Sequence, residues 1–438
     1  MSIEALSLIM LAVTLVLLGI GLPFAFTTGL VACGFALVLF GAPAMTVVAS
    51  RTYSFMTEFV LASVPMFILM ATLLERSGVT NELFKAVHVW AGGIPGGVGV
   101  ATMVMAVLIG ATIGVIGGEV TLLGIVALPQ LLRLGYDRKL AIGTICAGGA
   151  LGSMIPPSIV LVFFGLAANV SIGDLLLASV VPGLLLAGLY CVYILIRCAI
   201  DPRMGPVAPA HERSIPLLEK VKLMRGIVLP LLIMLSVMGS IYAGLASVTE
   251  SAALGVVGVL FAVWARRELG WRMLYDALKQ TMSTCGTVLW LVFGANALIG
   301  VYNMMGGIAF VQGLVKGLDL APIMIMIVIM AIWVVLGTFL EWIAIMLLTL
   351  PIFLPIIKGL GYDPVWFGIL FNLNMQIAYL SPPFGGAPFF LKSVAPPDVT
   401  MEEIFNACWP WMGLQLVALA LVLAFPDIAL WLPRIANQ

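Results

Sequence analysis

The sequence predicts an all-α polytopic membrane protein made of two inverted-topology repeats. Three observations carry that prediction. Of 438 residues, 63% are apolar and only 9% are charged; apolar runs of membrane-crossing length follow one another; and three short motifs recur at one constant spacing. Soluble domains carry roughly a quarter charged residues, so water is not the main solvent of this chain. Alternating short segments of the β-barrel kind are missing, which leaves a helical bundle in lipid.

The zero net charge offers no basic field to a nucleic acid. Six cysteines (Cys33, Cys146, Cys191, Cys198, Cys285, Cys408) are scattered through apolar segments without a CxxC pair, which reads as packing. The stretch 3–18 has neither a basic flank nor a small-residue cleavage site and reads as a first span rather than a signal peptide.

A span needs about 20 apolar residues. On that measure the first repeat, residues 1–200, has spans near 5–20, 23–41, 59–75, 139–168 and 175–197. Residues 97–134 form two apolar limbs that break at glycines and are too short for two ordinary spans, so a re-entrant hairpin is expected there. Residues 201–225, rich in proline and basic residues, form a connecting loop with a surface helix. The second repeat, 226–438, has spans near 226–246, 248–265, 281–304, 361–391 and 403–426 and a hairpin at 322–357. Basic residues near spans stay cytoplasmic. With both termini outside and the 201–225 loop inside, only Arg51, Lys316, Lys358 and Arg434 of the 20 basic residues fall outside. Five spans per half is odd, so the second half is inverted relative to the first.

Leu128-Pro129, Leu134-Gly135-Tyr136-Asp137 and Pro156-Pro157 recur as Leu354-Pro355, Leu360-Gly361-Tyr362-Asp363 and Pro382-Pro383, each 226 residues on with no gap. Inverted repeats of this kind mark secondary transporters, with the site at the repeat interface. Each copy places a Pro-Pro inside the span after the hairpin, the broken spans being 139–168 and 361–391. Proline removes a donor and clashes with the preceding turn. Backbone freed in this way is tolerated at membrane depth only inside protein or beside a water-filled cavity.

The tip of the first hairpin contains Gly114, Gly117, Gly118, Glu119 and Thr121, and its partner break contains Gly152, Ser153, Pro156, Pro157 and Ser158. The second tip contains Gly337, Thr338 and Glu341, and its break Ser381, Pro382, Pro383 and Gly385. Freed carbonyls at glycine- and proline-rich breaks suit sodium, so Gly114, Gly117, Gly118, Glu119, Gly152, Pro156, Pro157, Gly337, Glu341, Pro382 and Pro383 are the ion candidates. Hydroxyls and helix N-termini suit an anion, so Thr121, Ser153, Ser158, Thr338, Ser381 and Gly385 are the substrate candidates. An intramembrane carboxylate is costly and points to function; Glu119 and Glu341 could each bind a cation, carry a proton, or cap broken backbone amides. Glu250 reads as the anchor of a span end. His88 and His211 sit in surface segments without metal-ligand spacing, and Asn296 and Asn303 could line the cavity or bridge helices.

At these residues the chain resembles the large membrane subunit of TRAP (tripartite ATP-independent periplasmic) transporters over essentially its whole length. The marks are Gly135-Tyr136-Asp137 with Ile155-Pro156-Pro157-Ser158, then Ser171-Ile-Gly-Asp174-Leu and Pro182-Gly183. The run Gly244-Leu-Ala-Ser-Val-Thr-Glu-Ser251 is similar to that family's Thr-Pro-Thr-Glu turn, with Val248 where proline is usual. The resemblance implies the ion-transporter-superfamily architecture and an elevator motion. It implies multi-pass residence in the bacterial cytoplasmic (inner) membrane and sodium-coupled import of a small organic anion, a carboxylate. The implied partners are a small four-helix membrane subunit and a soluble periplasmic substrate-binding protein, with no organic cofactor. Relatives taking dicarboxylates or sialic acid usually have Gly-Ser-Ala where this chain has Gly117-Gly118-Glu119, a variant that resembles the branch linked to monocarboxylates such as 2-oxo acids, lactate or aromatic acids. Two other readings compete. One is a stand-alone ion-coupled antiporter, symporter or channel of related fold. The other is a membrane-embedded enzyme using Glu119 or Glu341, for which no HExxH-like constellation is present.

Overall fold

A computed structural model describes residues 1–77, 93–113, 117–207, 225–317 and 320–436. Gly114, His88, His211 and most of the 201–225 loop lie outside these residues. The described residues are helical, with no strand among them. In the first half the helices are α1 (Ile3–Gly19), α2 (Phe24–Phe40), α3 (Ala44–Met56), α4 (Ser63–Arg76), α5 (Gly97–Ile113), α6 (Gly118–Val126), α7 (Leu128–Arg133), α8 (Arg138–Leu151), α9 (Ile159–Ala168) and α10 (Ile172–Ile200). The second half follows with α11 (Arg225–Tyr242), α12 (Val248–Ala265), α13 (Trp271–Met304), α14 (Gly307–Lys316), α15 (Pro322–Gly337), α16 (Trp342–Gly359), α17 (Pro364–Leu380), α18 (Gly386–Val394), α19 (Met401–Ala424) and α20 (Asp427–Ala436).

Helices α5, α6 and α7 cover the first hairpin region and α15 and α16 the second, while α8 and α9 flank Pro156-Pro157 and α17 and α18 flank Pro382-Pro383. The recurring Leu-Gly-Tyr-Asp motif is explained by what it does at the end of each hairpin. Gly135 and Gly361 take φ of +81° and +80°, which only glycine adopts freely. The next amide then closes the helix end, from Tyr136 to the Leu131 carbonyl and from Tyr362 to the Ile357 carbonyl. The aspartate restarts the chain: Asp137 accepts from the Leu140 amide at 2.9 Å and Asp363 from the Val365 amide at 2.7 Å. Helix stop and helix start are thus encoded within three residues. The Pro156-Pro157 and Pro382-Pro383 peptide bonds are both cis.

The helices sort into two layers. Contacts α2–α13, α4–α12, α4–α13 and α11–α12 gather the first helices of each half into one group, and hairpins and broken spans pack among α10 and α19 in another. The buried apolar core runs through both groups and is densest in the second. From Leu140 to Leu151 along α8, and from Trp366 to Leu380 along α17, every residue is buried. Outward faces of the first group expose Leu11, Leu15, Phe26, Leu30, Val38, Phe261 and Trp264, as a surface solvated by lipid would. Six of the described helices are long and apolar enough to cross a membrane. The hairpin arm α15 and the half-helix α9 are among the shorter apolar helices. The protein is a multi-pass membrane protein.

Three elements differ from the sequence reading. α3 was not expected, because Arg51, Thr52 and Ser54 dilute its apolar character. The 281–304 span is the end of α13, whose 34 residues extend about 51 Å at 1.5 Å per residue. Its first turns carry Arg272, Asp276 and Lys279 beyond the apolar stretch. There Arg76 donates to Gln280 Oε1 at 2.8 Å and pairs with Asp276. The chain also ends in α20, packed on α10. Glu250 anchors a helix start as expected: Ser247 and Glu250 form a reciprocal capping box on α12.

Candidate functional site

At the first tip, α6 starts from Gly117, whose φ of +101° excludes a side chain. Space excludes one too, since a Cβ there would lie 2.7 Å from the Phe390 ring of α18. Glu119 follows in the first turn of α6 and is fully buried. It lies where α5 and α8 cross, at Gly110 and Gly152. A Cβ on Gly110 would be 2.6 Å from Gly152 Cα, and a Cβ on Gly152 would overlap both carboxylate oxygens of Glu119. One turn earlier, a Cβ on Gly149 would lie 2.8 Å from the Val120 backbone, so glycine leaves room for it. The glycines of α8 are therefore the shape of the seat for α6 and its carboxylate.

The second half repeats the crossing with a different filling. Gly337 at the end of α15 meets Ala378 of α17, the residue 226 positions after Gly152. Where the first half has Gly152 beneath the Glu119 carboxylate, the second half carries the Ala378 methyl. Glu341 sits instead at the N-cap of α16, exposed and making no cap hydrogen bond with its side chain. Thr338 donates to the Val335 carbonyl at 2.7 Å. In the break, Ser381 donates to the Ala378 carbonyl at 3.1 Å, and the Gly385 amide to the Ser381 carbonyl at 2.8 Å. A Cβ on Gly385 would lie 2.7 Å from that same carbonyl, so this turn also needs glycine.

The two halves meet at Ser153 in the first break. Its carbonyl accepts from Asn372 Nδ2 at 3.0 Å and from the Ser158 hydroxyl. Its own hydroxyl donates to the Ala150 carbonyl and accepts from Gln376 Nε2 at 2.7 Å. Ser158 also caps α9, accepting from the Leu161 amide at 3.4 Å, so its oxygen is engaged in holding the break closed. Asn372, Asn374 and Gln376, all fully buried, were not singled out from the sequence. The signal was there: Asn372-Leu-Asn374-Met-Gln376 puts three amides in an otherwise apolar span, and intramembrane polar residues are functional by default.

Of the sequence candidates, Gly117, Gly118, Glu119, Gly152, Ser153, Pro156, Pro157 and Ser158 form one neighbourhood at tip and break, with Thr121 half-buried one turn into α6. Gly337, Thr338 and Glu341 form a second with Ser381, Pro382, Pro383 and Gly385. The neighbourhoods touch reciprocally. The first tip packs on α18 through Gly117 and Phe390. The second tip packs on α9 through Trp342 and Phe163, ring centroids 5.9 Å apart. Each hairpin thus leans on the broken helix of the other half. Asn296, with a buried amide nitrogen lacking a hydrogen-bond partner, lies on α13.

Four helix N-termini, those of α6, α9, α16 and α18, begin at these tips and breaks, and helix N-termini favour anions. Two carboxylates stand beside them and favour cations. Such an arrangement can hold an anion and a compensating cation together.

A family model described as the tripartite ATP-independent periplasmic transporter, DctM component, matches residues 11–428. A C4-dicarboxylate TRAP transporter large permease protein DctM of Vibrio cholerae serotype O1 is 29% identical over 95% of each chain. A sialic acid TRAP transporter large permease protein SiaM of the same organism is 28% identical over 96% of each chain. An ectoine TRAP transporter large permease protein TeaC of Halomonas elongata is 29% identical over 86% of each. Among solved structures, the YdaH transporter of Alcanivorax borkumensis superposes with a TM-score of 0.60 at 13% identity, over 94% of this chain and 97% of that one. That last likeness is one of fold.

Proposed function

The chain belongs to the tripartite ATP-independent periplasmic transporter family as a DctM component, and from that premise we propose that it is the permease subunit of a sodium-coupled importer of a small organic anion. Family membership makes it a transport protein rather than an enzyme. The curated relatives are named for C4-dicarboxylates, sialic acid and ectoine. Their common chemistry is a small, charged, polar solute, and the anion-favouring helix N-termini of both breaks suit a carboxylate. The Glu119 variant of the first tip fits a smaller, singly charged acid, because a fixed negative charge there opposes a second carboxylate. A small four-helix membrane subunit and a soluble periplasmic binding protein complete the transporter, in the bacterial inner membrane with both chain termini periplasmic.

The observation that carries this reading is the reciprocal packing of each hairpin on the other half's broken helix. It fits two repeats of opposite orientation, residues 1–200 and 226–438, joined by a cytoplasmic segment at 201–225. The packing of hairpins and broken helices with α10 and α19, and of α2 and α4 with α12 and α13, supports a division into two bodies that touch through α5 and α16. In the proposed elevator motion the first body carries anion and sodium past the outer group as one piece. Sodium, held by freed carbonyls, neutralises the carboxylates before the body moves, which lowers the cost of taking charge through lipid.

Uptake in reconstituted vesicles tests the proposal. Sodium-dependent accumulation of a small carboxylate is expected only when the small subunit and a loaded binding protein are both supplied. Uptake by this chain alone would favour the stand-alone reading.

A further inference from the structure

Asn372, Gln376 and Tyr379 recur at i, i+4 and i+7 on α17 and so share one face of that helix. That face is turned to the first break: both amides hydrogen-bond Ser153. The hydrogen-bond pattern fixes how the amides are turned. The Ser153 carbonyl can only accept, so Asn372 must offer it nitrogen. The Ser153 hydroxyl gives its proton to the Ala150 carbonyl, so it must receive the nitrogen of Gln376. Asn372 Oδ1 and Gln376 Oε1 are left with no hydrogen-bond partner, and the Tyr379 hydroxyl approaches Ser153 without reaching hydrogen-bond geometry. The three residues are 0%, 0% and 6% exposed. Buried oxygens in that state are costly, and each asks for an explanation.

We propose that Asn372 Oδ1, Gln376 Oε1 and the Tyr379 hydroxyl oxygen form a binding site for a dehydrated monovalent cation at the junction of the two halves. The proposal deepens the cation-coupled reading above and rests on it, and it adds a site to the tips and breaks considered so far. The chemistry of the oxygens selects the ligand. The two amide oxygens are acceptors only, and both amide nitrogens are turned to Ser153, so the groups left without a partner suit a cation. All three oxygens are neutral, which suits a monovalent ion better than a divalent one that seeks carboxylates directly. The surrounding field has the right sign. Glu119 covers Gly152, the neighbour of Ser153, and Glu341 acts electrostatically on Tyr379.

The site belongs to one half only. The positions 226 residues earlier are Cys146, Ala150 and Ser153, and the last of these is the residue that the amides hold. An ion drawn to the amide oxygens therefore tightens the same side chains that clamp the first break to α17. Cation binding and closure of the two halves become one event.

The full-length chain purified with its small subunit in detergent tests this. Its melting temperature is followed against sodium chloride at constant ionic strength, with N-methylglucamine chloride as the replacement. The wild type is expected to be stabilised saturably. Tyr379→Phe removes an oxygen that makes no bond in the fold, so it should melt normally without sodium. Its half-saturating sodium concentration should rise about tenfold, the loss expected for one ion-facing oxygen. Gln376→Met, of similar volume, should act in the same direction. Wild-type titrations in a folded Tyr379→Phe variant would overturn the site, as would a wild type with no saturable response to sodium, lithium or potassium. Vesicle uptake by the complete transporter separates the two ideas. Sodium-driven uptake with unshifted variant titrations removes this site and leaves the transport reading. Stripe-dependent binding without sodium-driven uptake keeps the site and removes the coupling.

Discussion

The carboxylate of Glu119 occupies the volume that a side chain at position 152 would fill, so Gly152 and Glu119 are one structural unit spanning the first hairpin and the first broken helix. In the second half the residue 226 positions after Gly152 is Ala378, a methyl in place of glycine. The two crossings are therefore chemically unequal.

Gly152→Ala should therefore destabilise the protein. Overpacking a tight core costs about 1–3 kcal/mol, and here the added methyl meets a buried carboxyl group. Combining it with Glu119→Ala empties the contested volume, and the double variant should melt above the Gly152→Ala single. Thermal melts of the purified variants decide this; a single variant as stable as the wild type would refute the contact.

Glu119→Gln keeps the shape and removes the charge. We expect a folded protein whose uptake falls at least about tenfold, the equivalent of one lost interaction worth about 1.4 kcal/mol in the transport cycle. The sodium concentration needed for half-maximal uptake should shift as well. An unchanged rate and unchanged sodium dependence in vesicles would exclude Glu119 from ion coupling.

The proposed inverted orientation makes a prediction at two exposed positions beside the recurring Gly-Tyr-Asp motif, Arg133 and Lys358. In a cysteine-free background, Lys358→Cys should react with a membrane-impermeant maleimide applied to intact spheroplasts. Arg133→Cys should react only after the membrane is opened. Labelling of both from the same side would rule out opposite orientations.

Arg138 donates to Asp398 at 2.7 Å and to Glu403 at 3.0 Å, joining the start of α8 to the first turn of α19 and the segment before it. This hydrogen bond from Arg138 holds the Asp398 carboxyl below the ordinary carboxylate range. A depressed folded value stabilises the fold above the unfolded value of about 3.9. That contribution is lost as pH falls through the lower folded value. Both side chains are exposed, so the effect is small and screened by salt. Wild type should melt slightly above Asp398→Asn at neutral pH, with the gap closing below about pH 4. A gap that persists at low pH would contradict the pairing.

Much of the fold was legible because it is written in local chemistry. Gly135 and Asp137 stop one helix and start the next whatever surrounds them, and their counterparts Gly361 and Asp363 do the same. Pro156-Pro157 and Pro382-Pro383 break a helix in any context. α3 escaped because its polar residues mask a helix held by tertiary packing rather than by apolar run length. Ser158 looked like a substrate hydroxyl, yet its oxygen is engaged with Ser153 and Leu161; only neighbours reveal whether a hydroxyl is spent.

What the sequence determined by itself was the class, the repeat and the break points, since hydropathy, glycine and proline act on the segment that contains them. The tertiary structure decided which break faces which tip. It placed Glu119 over Gly152, Gly117 under Phe390, and Asn372 and Gln376 on Ser153, residues more than 200 positions apart in the last case. Those pairings depend on close packing between helices distant in the chain, where one methyl fills or empties a site, and no local pattern encodes them.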